Sequence, residues 1–260
     1  AAVNLDVDHE GVCSSCRVAE NINLKKNSFW KQREKKFLEI IKKNSRNNSS
    51  NYDCLIPVSG GKDSYYQAHI IASKYGLKPL LMTYHGNNFL PEADYNRDKM
   101  RHVFNADHIV WGPSVEVLKK LNRIAFRKMG DMNWQNHCGI FSAPINVAVK
   151  FNIPLIIWGE IAWDISGMFS PEDLVEFSAR VRNEHGLRGY EWYDFLDDKK
   201  DKILEKDMIW AKYPSDEDIL KVGVRGLYIG NFFKWDPNSH FKMVKKKYGW
   251  KQASRPFEGT

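Results

Sequence analysis

The densest run of chemistry in the chain is Ser59-Gly60-Gly61-Lys62-Asp63-Ser64. The glycines let the backbone turn so that successive N–H groups face one concavity. The Ser59 and Ser64 hydroxyls add donors, and a helix starting there adds positive potential. Such a segment is an anion cradle. It lacks the GxxxxGK[ST] spacing of a Walker A loop, so the usual γ-phosphate transfer geometry is not implied. A carboxylate, Glu160, follows Trp158-Gly159, where glycine would permit close approach of a ligand and the acid could hold Mg²⁺. Cys13 and Cys16 have the spacing of half a zinc knuckle, and two ligands cannot close a structural zinc site. His9 is the nearest candidate for a third ligand, with a plain surface histidine as the alternative. Cys54 in an apolar run and Cys138 after His137 read first as small buried hydrophobes, with a Cys138 thiolate as the alternative.

These residues need elements to position them. Tyr52 to Val58 is an apolar strand leading into the glycine pair, and a helical pattern follows from about Asp63 to Lys74. Strands are expected at 79–84, 108–111 and 154–158, and helices at 93–104, 114–129 and 140–151. The cradle then lies between the first strand and its helix, and Glu160 just past the fourth strand. Strands apolar on both faces, alternating with helices, indicate an α/β fold: a parallel sheet with helices on both faces and ligands beyond the strands' carboxyl ends. Before this domain, Phe29, Phe37, Ile40 and Ile41 mark an amphipathic helix that the Asn/Ser run 44–50 ends. After it, Ser170 as cap and Pro171 as first residue open a helix expected over 171–184, and another starts at 213–216. Lys245 to Lys247 reads as a solvated helix face. The expected organisation is a partial CxxC knuckle segment at 1–28, the α/β domain at 29–165, and a helical, aromatic-rich substrate or partner region at 166–260.

Composition narrows the class. Of 260 residues 43% are hydrophobic and 13% aromatic, which excludes wholesale disorder. The longest apolar stretch, Ile153 to Ile161, is broken by Pro154, Gly159 and Glu160, so no helical membrane span is expected. Thirty-nine basic against 32 acidic residues give +7, suited to anionic ligands such as nucleotides. Four cysteines are too few for a disulfide scaffold, and with no basic-then-apolar leader a cytoplasmic protein is expected. A start at Ala1 and an end at Thr260 with no closing element suggest that both ends are trimmed.

The string SGGKDS after the strand Leu55 to Val58 resembles the PP-loop of the adenine-nucleotide α-hydrolase superfamily, whose members cleave ATP between the α and β phosphates. That resemblance implies that Ser59, Gly60, Gly61 and Ser64 hold pyrophosphate, that Lys62 neutralises its charge, and that Asp63 positions Mg²⁺ or the loop. The end of the second strand, including Thr83 with His85 and Asn87 just beyond, would face the adenine and substrate, mainly through backbone groups. For Asp63 the alternative is a first-turn helix acid, and for His85 and Asn87 it is ordinary loop polarity. Further segments narrow the likeness. HEGVCSSCRVAE at 9–20, YDCLIPVSGGKDSYYQ at 52–67, NIPLIIWGE at 152–160, YIGNFFKWD at 228–236 and KKYGWKQASRPFEGT at the end look like the N-acetyl sugar amidotransferase family, in order and over nearly the whole chain.

That family acts in bacterial surface-polysaccharide (lipopolysaccharide O-antigen) and flagellar-glycan pathways. The resemblance implies an AMP-forming enzyme that converts a sugar's acetamido group to an acetamidino group. ATP and Mg²⁺ would be used, with Lys62, Asp63 and Glu160 as the catalytic groups and Asp63 and Glu160 as magnesium ligands. Zn²⁺ would bind Cys13 and Cys16 where a second, upstream CxxC is present, as family members generally have. The substrate would be an N-acetylated sugar or sugar nucleotide, and ammonia would come from a separate glutaminase subunit, because neither Cys54 nor Cys138 has a second α/β unit around it. Membrane and nucleic-acid partners are not expected. The competing expectations are a tRNA-modifying PP-loop enzyme that inserts sulfur, and a nucleotide-binding module without chemistry.

Overall fold

The structure is a computed structural model that describes residues 5–46, 50–87, 89–159, 170, 172–174 and 176–253. At its centre is a five-stranded, all-parallel sheet in the order β3-β2-β1-β4-β5. The strands are β1 (Cys54–Pro57), β2 (Pro79–Tyr84), β3 (His108–Trp111), β4 (Leu155–Trp158) and β5 (Arg225–Tyr228). The register sets Leu55 beside both Leu80 and Ile156, and Ile156 beside Gly226.

Side chains alternate between two buried faces. Leu55, Leu80, Met82, Ile156 and Trp158 pack on one side with Leu121, Ile124 and Cys138. Ile56, Leu81, Leu155 and Ile157 pack on the other with Phe37, Tyr65, Met100 and Phe232. The first face is covered by α5 (Val115–Met129) and α6 (Trp134–Lys150). The second is covered by α2 (Asn27–Arg46), α3 (Lys62–Ala68, continued by a π-helical stretch His69–Lys74), α4 (Pro91–Phe104) and α8 (Pro237–Tyr248), while α7 (Asp216–Val222) precedes β5 in the chain. Helices therefore flank both faces, as the two-sided apolar strands require. Chain order reverses at β1, with β2 and β3 to one side and β4 and β5 to the other. The crevice beyond the β1 and β4 carboxyl ends is the topological switch point, where open α/β sheets bind ligands.

Four expectations about elements change. The stretch read as helical beyond residue 165 supplies β5, so the sheet draws on the chain well past Trp158. Of the helix expected over 171–184, residues 172–174 and 176–184 are described, and there Ser170 Oγ accepts from Glu172 N at 3.2 Å in a turn. The helix does not propagate, because Glu176 bridges antiparallel to Leu227, Phe177 N donates to Gly226 O at 2.9 Å, and Arg225 grips the Glu176 carboxylate at 2.5 and 2.8 Å. Helical backbone resumes at Ala179 and continues as the π-helical Val181–Gly186. α6 starts at Trp134 rather than 140 and runs through Pro144. Proline withdraws the N–H that Ile140 O would accept, and that carbonyl faces Trp158 Nε1 at 3.5 Å instead. Fourth, the described part of the N-terminal segment shows no knuckle fold of its own. It makes a bridge between Val7 and Cys13 and continues as α1 (Ser14–Leu24).

Lys245 to Lys247 lie exposed in the last turn of α8, where cations complement the helix dipole. Among the described residues no helix is long and apolar enough to cross a membrane.

Candidate active site

The phosphate-binding candidate is built where β1 ends. Val58 N donates to Met82 O at 2.8 Å, extending the sheet by one bond before the chain turns. Ser59 N then donates to Ser64 Oγ at 3.0 Å, and Gly61 N reaches Ser59 Oγ at 3.3 Å, so the two serines close the loop on itself. Gly60 adopts φ +82°, and a Cβ there would lie 2.7 Å from both Ala93 O and Arg97 N, backbone atoms of α4. Only glycine satisfies the dihedral and the space together. Tyr65 N donates to Gly61 O at 3.2 Å, the first bond of the helix, which leaves the Lys62, Asp63 and Ser64 amides ahead of it as free-pointing donors.

One hydrogen bond holds this loop from outside, and three more brace the elements that supply it. Trp250 Nε1 donates to Gly60 O at 2.9 Å, fixing that peptide plane. The same C-terminal strap is tied to α4, with Asn96 Nδ2 donating to Lys251 O at 2.7 Å and Lys251 N to Asn96 Oδ1 at 2.9 Å. Tyr65 OH donates to Asn96 O at 2.6 Å. Behind the loop sits Arg97, buried, with Nη1 2.8 Å from Asp94 Oδ1.

Lys62 Nζ donates to Asp63 Oδ2 at 2.6 Å, and Asp63 Oδ1 lies 3.5 Å from His240 Nδ1. Burial alone would raise the Asp63 carboxyl, but His240 and Lys62 outweigh it and hold the group below the usual carboxylate range. An ionised carboxylate at the mouth of a ring of N–H groups suits Mg²⁺, a hard cation usually bound by one or two carboxylates together with phosphate oxygens. Glu160, the other expected magnesium ligand, lies outside the described residues. Its neighbour Gly159 is indeed a close-approach position, but what approaches is Gln67 of α3: a Cβ would lie 2.9 Å from Gln67 Oε1. Gln67 Nε2 donates to Ile157 O, which couples α3 to the end of β4.

On the other flank, Thr83 donates its hydroxyl to Val58 O at 2.5 Å and meets His108 Nε2 at 2.9 Å. With its proton spent on Val58, Thr83 Oγ1 accepts from His108, which places that ring's proton on Nε2. Burial, with Arg97 and Arg101 nearby, pushes His108 down to about 4, so it stays neutral. The Thr83 hydroxyl therefore ties β1, β2 and β3 together. His85 N donates to Trp111 O at 2.9 Å, and His85 Nδ1 accepts from Asn87 N at 3.2 Å across a turn in which Asn87 has φ +58°. His85 and Asn87 thus share one local structure at the carboxyl end of β2.

Cys13 and Cys16 come together, Sγ to Sγ 3.3 Å, at the amino end of α1. Among the described residues no three His, Cys, Asp or Glu side chains form a metal-ligand group, so His9 does not complete the pair. Two thiols do not make a closed zinc site. Cys54 and Cys138 are the buried small hydrophobes expected, and burial pushes both thiols up, Cys138 to about 12. His240, Trp250, Asn96 and Arg97 were missed as site residues. The usable signal for the first was Asp236-Pro237, a cap and first residue that announce a helix with His240 one turn in.

No family model matches the chain, and no curated protein matches it. Among solved structures it is similar to an NH3-dependent NAD synthetase from Campylobacter jejuni in complex with the nitrate ion, at 14% identity and TM-score 0.38 over 50% of this chain and 56% of that one. It is also similar to a predicted subunit of tRNA methyltransferase from Methanocaldococcus jannaschii, at 14% identity and TM-score 0.36 over 74% and 73% of the two chains. An NMN synthetase from Francisella tularensis gives 14% identity and TM-score 0.35 over 87% of this chain and 98% of that one. The chain spans little more than half the length of the first of these. Likenesses this distant carry no functional argument, and the site stands on its own geometry.

Proposed function

We propose that this chain is an AMP-forming, ATP-dependent amidotransferase that converts the acetamido group of an N-acetylated sugar or sugar nucleotide to an acetamidino group. The observation that carries it is the closed Ser59–Ser64 loop at the switch point. There helix-start amides, a lysine and an ionised aspartate converge without a Walker loop. The resemblance of SGGKDS and the flanking segments to the N-acetyl sugar amidotransferases supplies the acceptor and the surface-glycan setting.

The chemistry is coherent with such a site. An amide carbonyl is a poor electrophile, and its oxygen must first become a leaving group. The carbonyl oxygen attacks the α-phosphorus and pyrophosphate departs. Ammonia then adds to the activated carbon and loses a proton, and AMP leaves with the original amide oxygen. Charge accumulates on phosphate oxygens, where the loop amides and Lys62 stabilise it. Mg²⁺ held by Asp63, and by Glu160 if that residue turns toward the switch point, would offset the same charge when bound.

Ammonia is proposed to come from a separate glutaminase, with this chain in the cytoplasm and the region beyond residue 165 serving substrate or partner. Cys54 and Cys138 are buried with raised thiols, which suits neither a glutaminase nucleophile nor a sulfur carrier. A tRNA-thiolating reading would need a reactive thiol pair at the loop, and the close pair sits instead at the start of α1.

The test mixes ATP, an ammonium salt and a panel of N-acetylated sugars and sugar nucleotides. Acceptor-dependent AMP and pyrophosphate are expected. ADP and phosphate as products would overturn the mechanism, and nucleotide binding with no acceptor-dependent turnover would leave a binding module. With glutamine as the only nitrogen source the purified chain should make no amidine, and robust product would remove the need for a partner.

A further inference from the structure

Lys62 and Asp63 are adjacent in sequence, and each occupies the other in the structure. A phosphate group in the loop competes for Lys62, and Asp63 Oδ2 then loses its partner. The Asp63 side chain is 41% exposed, so something else must fix its angle if the carboxylate is to meet a cation in one orientation. The other oxygen, Oδ1, faces His240 Nδ1 at 3.5 Å, across 177 residues of sequence. That distance is at the long end of hydrogen-bonding reach, as is common before a ligand tightens a site.

His240 is only 2% exposed, and its ring is clamped. It stacks on Tyr66 at 3.5 Å and 15°, and Trp235 meets it edge-on at 4.6 Å and 88°. Tyr66 lies three residues after Asp63, so α3 presents the carboxylate and the stacking ring on one face. His240 Nε2 is 3.4 Å from Asp236 N, a backbone donor, so Nε2 accepts and the neutral ring carries its proton on Nδ1, toward Asp63. Asp236 is itself fixed as the cap of α8, accepting from Asn238 N at 3.0 Å and Ser239 N at 3.2 Å. The charged groups facing this pair are thus Lys62 from α3 and Asp236 from the start of α8.

Resting on the reading of the loop as a pyrophosphate site, we propose that His240 is the positioning residue for Asp63. The buried imidazole holds Oδ1 from the α8 side and leaves Oδ2 open to a divalent cation once Lys62 turns to phosphate.

The first arm of the test needs no activity. Three-bond couplings report the Asp63 χ1 rotamer in nucleotide-free protein carrying Lys62→Ala throughout, so that the lysine cannot hold the carboxylate in place of His240. One rotamer is expected with His240 in place, averaging in His240→Phe, which keeps a stacking ring without the donor, and a single rotamer again in His240→Asn, whose amide nitrogen replaces Nδ1. If His240→Phe fails to fold by circular dichroism, His240→Leu, which also lacks a donor, takes its place. In the second arm inorganic pyrophosphate is titrated calorimetrically with and without Mg²⁺. His240→Phe should weaken binding about tenfold with Mg²⁺ and leave the metal-free affinity unchanged, with His240→Asn close to wild type. A purely structural role for His240 would lower both affinities and would not be rescued. A single Asp63 rotamer in a folded donor-less variant overturns the proposal. Wild-type protein that binds no pyrophosphate overturns the reading of the loop instead, and the rotamer comparison still decides the role of His240.

Discussion

Replacing Gly60 with alanine should lower the unfolding free energy by about 3 kcal/mol and abolish ATP cleavage, whereas Gly61→Ala should cost less than about 1 kcal/mol. The two glycines are neighbours, but they differ in what they must do. Gly60 sits at φ +82°, where an L side chain is strained by roughly 1–2 kcal/mol. Its Cβ would also press on Ala93 O and Arg97 N at 2.7 Å, and backbone of α4 cannot swing aside as a side chain can. Gly61 has φ −69°, and a Cβ there meets only the Ser59 hydroxyl at 3.3 Å, which rotates. Urea denaturation of both variants checks this. Equal midpoints would mean that the loop does not need the close approach to α4, and the geometry of the cradle would lose its explanation.

The contrast between these glycines also shows what a sequence displays and what it hides. SGGKDS between an apolar run and a helical pattern placed the loop between β1 and α3, because turn chemistry and hydrophobic period are local. Which glycine is indispensable depends on α4, more than 30 residues on. β5 was hidden for a similar reason. Arg-Gly-Leu-Tyr is short and only half apolar, and it becomes a strand because β4 offers a parallel edge. Ser170 was read as a helix cap, and the chain there makes only a turn, because pairing of 176–177 with β5 overrode the propensity that should have extended it. Pro144 is a weak stop for α6 because Trp158 partly occupies the carbonyl it frees. Asp236-Pro237 announces only the helix that carries His240, and nothing local marks its role beside Asp63. Glu160, placed by sequence at the end of β4, lies outside the described residues.

The other large effect belongs to Asp63. Asp63→Ala should cut acceptor-dependent AMP formation at least about a hundredfold while leaving the protein folded, a separation that follows from where the side chain sits. Its carboxylate is 41% exposed, and a first-turn acid contributes only about 0.3–1 kcal/mol through the helix dipole. The pairs with Lys62 and His240 add little that solvent screening does not reduce. In the proposed reaction, however, the carboxylate would stand beside amides and a lysine that converge on highly charged phosphates. Loss of its charge unbalances the site when pyrophosphate leaves. Asp63→Asn separates charge from shape, since its amide can still approach His240 but presents no anion to a divalent cation. It should therefore be nearly as inactive as the alanine variant. Turnover numbers measured beside circular dichroism decide the matter: wild-type turnover in either folded variant would remove Asp63 from the chemistry and leave it the helix acid its position also permits.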